Sequence, residues 1–119
     1  INILVGPNRI ENGREAISRY GADILILDDG FQYWGLTRDL DILLIDAVNP
    51  FGNEKVLPRG ILREPVSSLK RADIIVITKA DVVSLQQVSR IKARAKELNP
   101  EALIVSAYHK PARLLIFLI

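Results

Sequence analysis

The chain has 119 residues, a hydrophobic fraction of 49% and a formal net charge of +2, which predicts one compact domain over residues 1–119. The nearly balanced charge gives no general case for nucleic acid or a membrane surface as a partner. The lack of cysteine excludes disulfides and thiolate chemistry, and a single histidine excludes a multi-histidine metal site. No apolar run reaches the roughly 18 residues of a membrane span.

The first 28 residues predict a strand, a helix and a second strand. Residues 2–5 are aliphatic and are followed by turn residues, which places Arg9 at the carboxyl end of a strand. A capping pattern that begins at Asn12 predicts a helix over residues 13–20. A second aliphatic strand is predicted over residues 23–28. A strand, a helix and a strand in this order predict a parallel sheet.

The second predicted strand ends in two adjacent carboxylates, Asp28 and Asp29, followed by Gly30. Its uninterrupted aliphatic run predicts burial on both faces, as in parallel sheets, where ligands gather at the carboxyl ends of strands. Neighbouring like charges need a cation or hydrogen-bond donors to be tolerated. The pair therefore predicts Mg²⁺ held beside a phosphorylated ligand, and a simple turn cap is the alternative.

Three more strands and two helices are predicted in the rest of the chain. The last helix opens with a capping pattern at Ser84, and its apolar residues recur at helical spacing. The long loop over residues 47–60 is typical of a functional segment. The predicted fold is α/β, a three-layer sandwich with a mainly parallel sheet. The predicted strands are 41–46, 73–78 and 102–106, and the predicted helices are 65–71 and 84–98.

The segment Thr78-Lys79-Ala80-Asp81 resembles the motif with which GTPases recognise guanine. On that interpretation the chain is a guanine-nucleotide-binding switch module. A noncatalytic α/β binding module is a further alternative. A phospho-acceptor receiver domain is excluded, because Asp46 follows Asp29 too closely for the intervening helices and strand.

Several motifs in fixed order resemble the tetraacyldisaccharide 4′-kinase family. The resemblance runs from the start of the chain to about Asp73 and tapers afterwards. The position after Gln32 is often histidine in the family and is Tyr33 here. The motifs are Val5-Gly6-Pro7-x-Arg9, Asp28-Asp29-Gly30-Phe31-Gln32, Leu36-x-Arg38-Asp39, Asp46, Phe51-Gly52-Asn53 and Leu57-Pro58-x-Gly60-x-Leu62-Arg63-Glu64-Pro65.

The resemblance implies an ATP-dependent, P-loop NTPase-like lipid kinase. Such an enzyme phosphorylates the 4′-position of a tetraacyldisaccharide 1-phosphate in lipid A biosynthesis, at the cytoplasmic face of the bacterial inner membrane. Asp28 and Asp29 are then the catalytic residues and the ligands of Mg²⁺. An ion pair at a helix start is the alternative role of Arg63 and Glu64, and a backbone hydrogen bond is that of Gln32. The residues expected to bind substrate are Arg9, Gln32, Arg63 and Glu64.

The resemblance also implies elements that this sequence lacks. No Gly-x-x-x-x-Gly-Lys-Ser/Thr run occurs in it, so the P-loop is expected upstream of Ile1. A membrane-associating helix is expected there too, and a carboxyl-terminal lobe after the chain. Peripheral membrane contact is therefore expected through segments outside it, and the chain alone is expected to be inactive. The missing parts are expected to cover the apolar run over residues 114–119.

Overall fold

The structure, a computed structural model, describes residues 2–110. The chain divides into two compact units, Ile1–Arg38 and Asp39–Ile119. The apolar run over residues 114–119 lies outside the described residues. Neither of the two α-helices within residues 2–110 is long and apolar enough to cross a membrane. The regular elements are α1 (Arg9–Tyr20), β1 (Ile42–Asp46), a 3-10 helix (Val66–Arg71), β2 (Ile74–Thr78), α2 (Leu85–Leu98) and β3 (Leu103–Ser106).

The helix of the first unit begins one turn earlier than the sequence predicts. The side chain of Asn8 caps α1 by accepting a hydrogen bond of 3.2 Å from the backbone N–H of Glu11. Asn12 therefore lies inside the helix, and the predicted capping role of Asn12 is wrong. Gly21 ends α1 with a left-handed φ of 61°, which a residue without a Cβ adopts at no steric cost.

Residues 2–5 and 23–28 do not form strands, so the predicted strand–helix–strand unit at the start of the chain is wrong. Most of their side chains are open to solvent, with Ile3 82% and Ile26 93% exposed, and only Leu4 and Leu27 are partly buried. A strand needs a neighbour whose backbone groups complete the hydrogen-bond ladder, and within residues 2–38 neither stretch has one. The aliphatic runs indicate extended backbone but do not specify a pairing partner.

The second unit contains a parallel sheet in the order β1-β2-β3. Its three strands confirm the predictions over residues 41–46, 73–78 and 102–106, and with α2 they confirm an α/β fold. Asp46 pairs in register with Thr78, so β1 and β2 end at the same edge. The three-layer arrangement and the P-loop NTPase class stay predictions.

One face of the sheet packs against α2. Ile75 and Ile77 on β2 have no exposed surface, and Val88 and Ile91 of α2 are buried in the same core. The side chain of Ser84 accepts from the N–H of Gln87 at 3.2 Å, which confirms the predicted helix start. The segment predicted as a helix over residues 65–71 is a 3-10 helix. On the opposite face of the sheet, Ile42, Leu44, Leu103 and Val105 are exposed.

Asn99 connects the end of α2 to the start of the sheet. Its side-chain N–H₂ donates to the carbonyl groups of Leu69 and Ala72, both at 2.8 Å. Its side-chain oxygen accepts from the N–H groups of Glu101 and Ala102 at 3.2 and 3.1 Å. All the donors and the acceptor of this buried amide are thus satisfied, as burial requires.

Candidate functional site

The first unit has an open pocket of about 390 Å³, which is lined by residues from the beginning and from the end of the unit. Three of the residues predicted to bind substrate or metal, Arg9, Asp29 and Gln32, line this pocket. Tyr33 also lines it, beside the glycine and proline of the turn before α1. The structure therefore brings together residues from two motifs that lie about twenty positions apart in the sequence.

Arg9 is held in the pocket by two contacts. Arg9 is the first residue of α1, because Asn8 caps the helix. One guanidinium nitrogen donates to the carbonyl oxygen of Asp29 at 3.4 Å. The guanidinium carbon lies 5.0 Å from the centroid of the Tyr33 ring, within range of a cation–π interaction. The guanidinium is thus oriented by an aromatic face and one acceptor, and its remaining N–H groups can bind an anion.

The turn after Asp28 shapes the other wall of the pocket. Asp29 has a left-handed φ of 51°, and the N–H of Tyr33 donates to the carbonyl of Gly30 at 2.9 Å. Gly30 is buried, and a Cβ there would lie 2.7 Å from the Leu27 side chain. Glycine at this position therefore lets Leu27 pack onto the turn that carries both carboxylates.

The two carboxylates suit a hard divalent cation by donor chemistry. Asp28 and Asp29 are adjacent and both exposed. No group of three or more Asp, Glu or His side chains that could hold a metal occurs within residues 2–110. Mg²⁺ commonly takes one or two protein carboxylates and completes its shell with water and phosphate oxygens. The residues present therefore fit Mg²⁺ bound with a phosphorylated ligand, and they do not form an all-protein cage.

Glu64 and Arg63, the other predicted substrate residues, lie in the second unit. The carboxylate of Glu64 accepts two hydrogen bonds from Arg71 at 2.8 and 3.0 Å. The Arg71 guanidinium lowers the pKa of Glu64, and burial opposes this only partly. The partner of Glu64 is thus Arg71, seven residues away, and the bidentate pair fixes the 3-10 helix to the preceding loop. The side chain of Arg63 is exposed.

A further ion pair lies at the carboxyl edge of the sheet, where Lys79 contacts Asp46. Hydrogen bonds from the Lys79 ammonium and then from the Val48 N–H lower the pKa of Asp46. The Thr78 hydroxyl donates to the carbonyl of Ile45 at 3.2 Å. The side chains of Thr78 and Lys79 in the guanine-like motif therefore make contacts within the fold, and the side chain of Asp81 is exposed.

Sequence reasoning found Asp46 and Lys79 at strand ends but did not pair them with each other. The in-register pairing of Asp46 with Thr78 is the signal that links them. In the sequence, Tyr33 stands out only as a departure from a family pattern, and its contact with Arg9 is not visible there. Only the structure shows that the Tyr33 ring lies 5.0 Å from the guanidinium carbon of Arg9.

Comparisons with known proteins identify the family. The family model described as Tetraacyldisaccharide-1-P 4'-kinase matches residues 1–114. The tetraacyldisaccharide 4′-kinase of Halothermothrix orenii is 45% identical over 107 residues, which cover 90% of this chain and 28% of that protein. The enzyme of that name from Anaeromyxobacter dehalogenans is 44% identical over 115 residues, 97% of this chain and 30% of that protein.

A third relative of the same name, from Syntrophotalea carbinolica, is 49% identical over 77 residues, 65% of this chain and 22% of that protein. No solved structure matches the chain significantly. The chain spans less than a third of the length of these curated relatives. Because the match extends over nearly all of its residues, the chain belongs to the tetraacyldisaccharide-1-P 4′-kinase family.

Proposed function

We propose that this chain is part of an ATP-dependent kinase that phosphorylates the 4′-hydroxyl of a tetraacyldisaccharide 1-phosphate in lipid A biosynthesis. The observation that carries the proposal is the family match over residues 1–114. The kinase names of the relatives agree with it, whereas no observation favours a guanine-nucleotide switch or a noncatalytic module. The complete enzyme would have a P-loop NTPase-like fold and act at the cytoplasmic face of the inner membrane.

The pocket of the first unit would bind the reacting groups. Phosphoryl transfer depends on positioning and on stabilising the charge of the transferring group. Arg9 would bind a phosphate oxygen with the N–H groups that its contacts with Asp29 and Tyr33 leave available. Gln32 would donate to or accept from a substrate hydroxyl, and Arg63 would bind an anionic group of the acceptor.

Asp28 and Asp29 would hold Mg²⁺ together with the nucleotide phosphates. A bound Mg²⁺ supplies positive charge that stabilises the transferring phosphoryl group. Asp29 lines the pocket and Asp28, its neighbour in sequence, is not among the lining residues, so the pair would hold that charge at one wall of the pocket. Asp29 would do this from the same turn whose carbonyl orients Arg9, so metal and phosphate binding would be coupled through one segment.

The test is a transfer assay with the full-length gene product. It measures labelled phosphate passing from ATP to the tetraacyldisaccharide 1-phosphate. Asp28→Ala and Asp29→Ala are expected to lower turnover by on the order of 100-fold, the scale of a lost metal contribution. Asp23→Ala, which removes an exposed carboxylate from the same unit, is the matched control and should leave turnover unchanged. No transfer by the unaltered protein would reject the function, and normal turnover in both variants would reject the site.

A second pair of variants tests the pocket arginine. Arg9→Lys keeps the positive charge but removes the planar set of donors, so we expect the KM for the lipid substrate to rise by about tenfold. Arg14→Lys makes the same change at an exposed position on α1 and serves as the control. Equal kinetics for the two variants would show that Arg9 does not bind the substrate.

A further inference from the structure

A loop over residues 51–62 presents two aliphatic side chains to solvent at its tip, residues 57–61. Leu57 and Ile61 are each 62% exposed. Four of the five tip residues are exposed. Contiguous exposed apolar surface marks interaction sites, and these two side chains contribute to such a surface.

Backbone hydrogen bonds hold the tip in this shape. The N–H of Leu57 donates to the carbonyl of Leu62 at 3.0 Å, and the N–H of Leu62 donates to that of Lys55 at 3.2 Å. The N–H of Gly60 donates to the carbonyl of Val56 at 3.1 Å. A Cβ at Gly60 would lie only 2.2 Å from the carbonyl oxygen of Lys55. The backbone of the tip is therefore fixed before any partner binds, which lowers the entropic cost of binding.

Two cations alternate with the two aliphatic residues along the loop. Lys55 and Arg59 are exposed, and within residues 2–110 neither side chain makes an ion pair. The acidic residues nearest to the tip in sequence, Glu54 and Glu64, contact Arg94 at 3.4 Å and Arg71 at 2.8 Å. Their charges are thus partly balanced by those contacts, and Lys55 and Arg59 leave this part of the loop with a net positive charge.

We propose that the tip is a membrane-contact surface for an anionic phospholipid bilayer. Leu57 and Ile61 insert among the headgroups, and Lys55 and Arg59 bind lipid phosphates. Aliphatic side chains supply apolar burial at a bilayer surface, and nearby cations add attraction to anionic lipids. The inference rests on the proposed function, because an enzyme that acts on a tetraacylated substrate meets it at a bilayer. It places a membrane contact within this chain itself.

Vesicle sedimentation of the full-length gene product tests the apolar part. The double variant Leu57→Ser with Ile61→Ser should lower partition by about tenfold or more into both pure phosphatidylcholine vesicles and vesicles containing phosphatidylglycerol. The control, Val82→Ser with Leu85→Ser, removes two side chains that are 66% and 86% exposed elsewhere in the second unit. This control should partition like the unaltered protein.

The charged part is tested with the same vesicles. Lys55→Ala with Arg59→Ala should lower partition by roughly fivefold per charge into phosphatidylglycerol vesicles and should have little effect on neutral ones. Arg90→Ala with Lys92→Ala removes two exposed cations of α2 and is the matched control. Equal losses in the two pairs would mean that total charge, and not this loop, determines binding, which would overturn the proposal.

An activity measurement separates this proposal from the proposed function. With substrate dispersed in detergent micelles, the loop variants should transfer phosphate at the normal rate, and with substrate in vesicles they should be slower. Unchanged partition in both loop variants would overturn the membrane contact, and another part of the protein would then cover the tip. Loop-dependent vesicle binding without any transfer by the unaltered protein would reject the kinase assignment and leave the contact standing.

Discussion

Replacing Glu64 with glutamine should destabilise the second unit, because this carboxylate is engaged by Arg71. The two hydrogen bonds measure 2.8 and 3.0 Å, and the side chains are only 22% and 25% exposed. Exposed ion pairs contribute about 0–1 kcal/mol, and breaking a fully buried pair costs about 3–5 kcal/mol. A pair at this intermediate depth should contribute about 1–2 kcal/mol to the free energy of unfolding at neutral pH.

The loss should depend on pH in a defined direction. Arg71 holds the pKa of Glu64 below its ordinary value of 4.5 in the folded protein. The unfolded chain therefore binds the proton more tightly, so the stabilisation is complete above pH 4.5 and disappears as the pH falls through the folded-state pKa. The gap in stability between the unaltered protein and Glu64→Gln should be constant near neutral pH and should close in acid.

Urea unfolding at neutral and acid pH measures this gap. Glu97→Gln is the control, because its pair with Arg94 has a carboxylate side chain that is 69% exposed and should shift the midpoint by no measurable amount. Kinetics of the full-length protein separate the two roles of Glu64. An unchanged midpoint at neutral pH together with a higher KM for the lipid would refute the reasoning and assign Glu64 to substrate binding.

Three further substitutions test the core, the buried amide and the pocket. Ile75→Ala should cost about 2–5 kcal/mol in urea unfolding because that side chain has no exposed surface, and Leu44→Ala, 65% exposed, should cost far less; similar losses would contradict the core. Asn99→Leu should cost at least about 2 kcal/mol, since four backbone groups lose their partner, and an unchanged midpoint would count against this. Tyr33→Leu should raise the KM for the lipid about 2–5-fold by removing the ring beside Arg9, while Tyr33→Phe should not; equal effects would exclude the ring contact.

The sequence predicts the second unit well because its signals are local. Ser84 opens α2 as expected, and the apolar spacing along the helix marks the face that is buried. The aliphatic runs before Asp46 and Thr78 become paired strands. The similar run over residues 23–28 does not, because a strand depends on a partner that its own sequence cannot specify. Pairing between distant segments, and not local preference, is what the prediction lacked.

The candidate site was likewise predictable only in part, because some of its contacts join distant segments. The family resemblance predicts that Arg9 and Gln32 bind substrate and that Asp29 binds Mg²⁺, and in the structure all three residues line one pocket. The structure also corrects how Arg9 reaches the pocket, since that residue begins a helix and does not end a strand. The pairing of Glu64 with Arg71 was not predictable, because several arginines lie within reach in sequence and only the turn of the 3-10 helix selects one.

The central position of β2 has a consequence for how the second unit opens. Among the described strands, β2 alone has hydrogen-bonded neighbours on both sides, and both are reached through long connections. The amides of Ile75 and Ile77 lie on the β3 side of β2, where the Ile77 carbonyl accepts from the Ala107 N–H, so they can exchange with solvent only when the pairing with β3 is lost together with the core. We expect their deuterium exchange to be the slowest in the unit. These two amides should therefore report cooperative unfolding of the whole unit, whereas amides in the loop over residues 51–62 should report local opening.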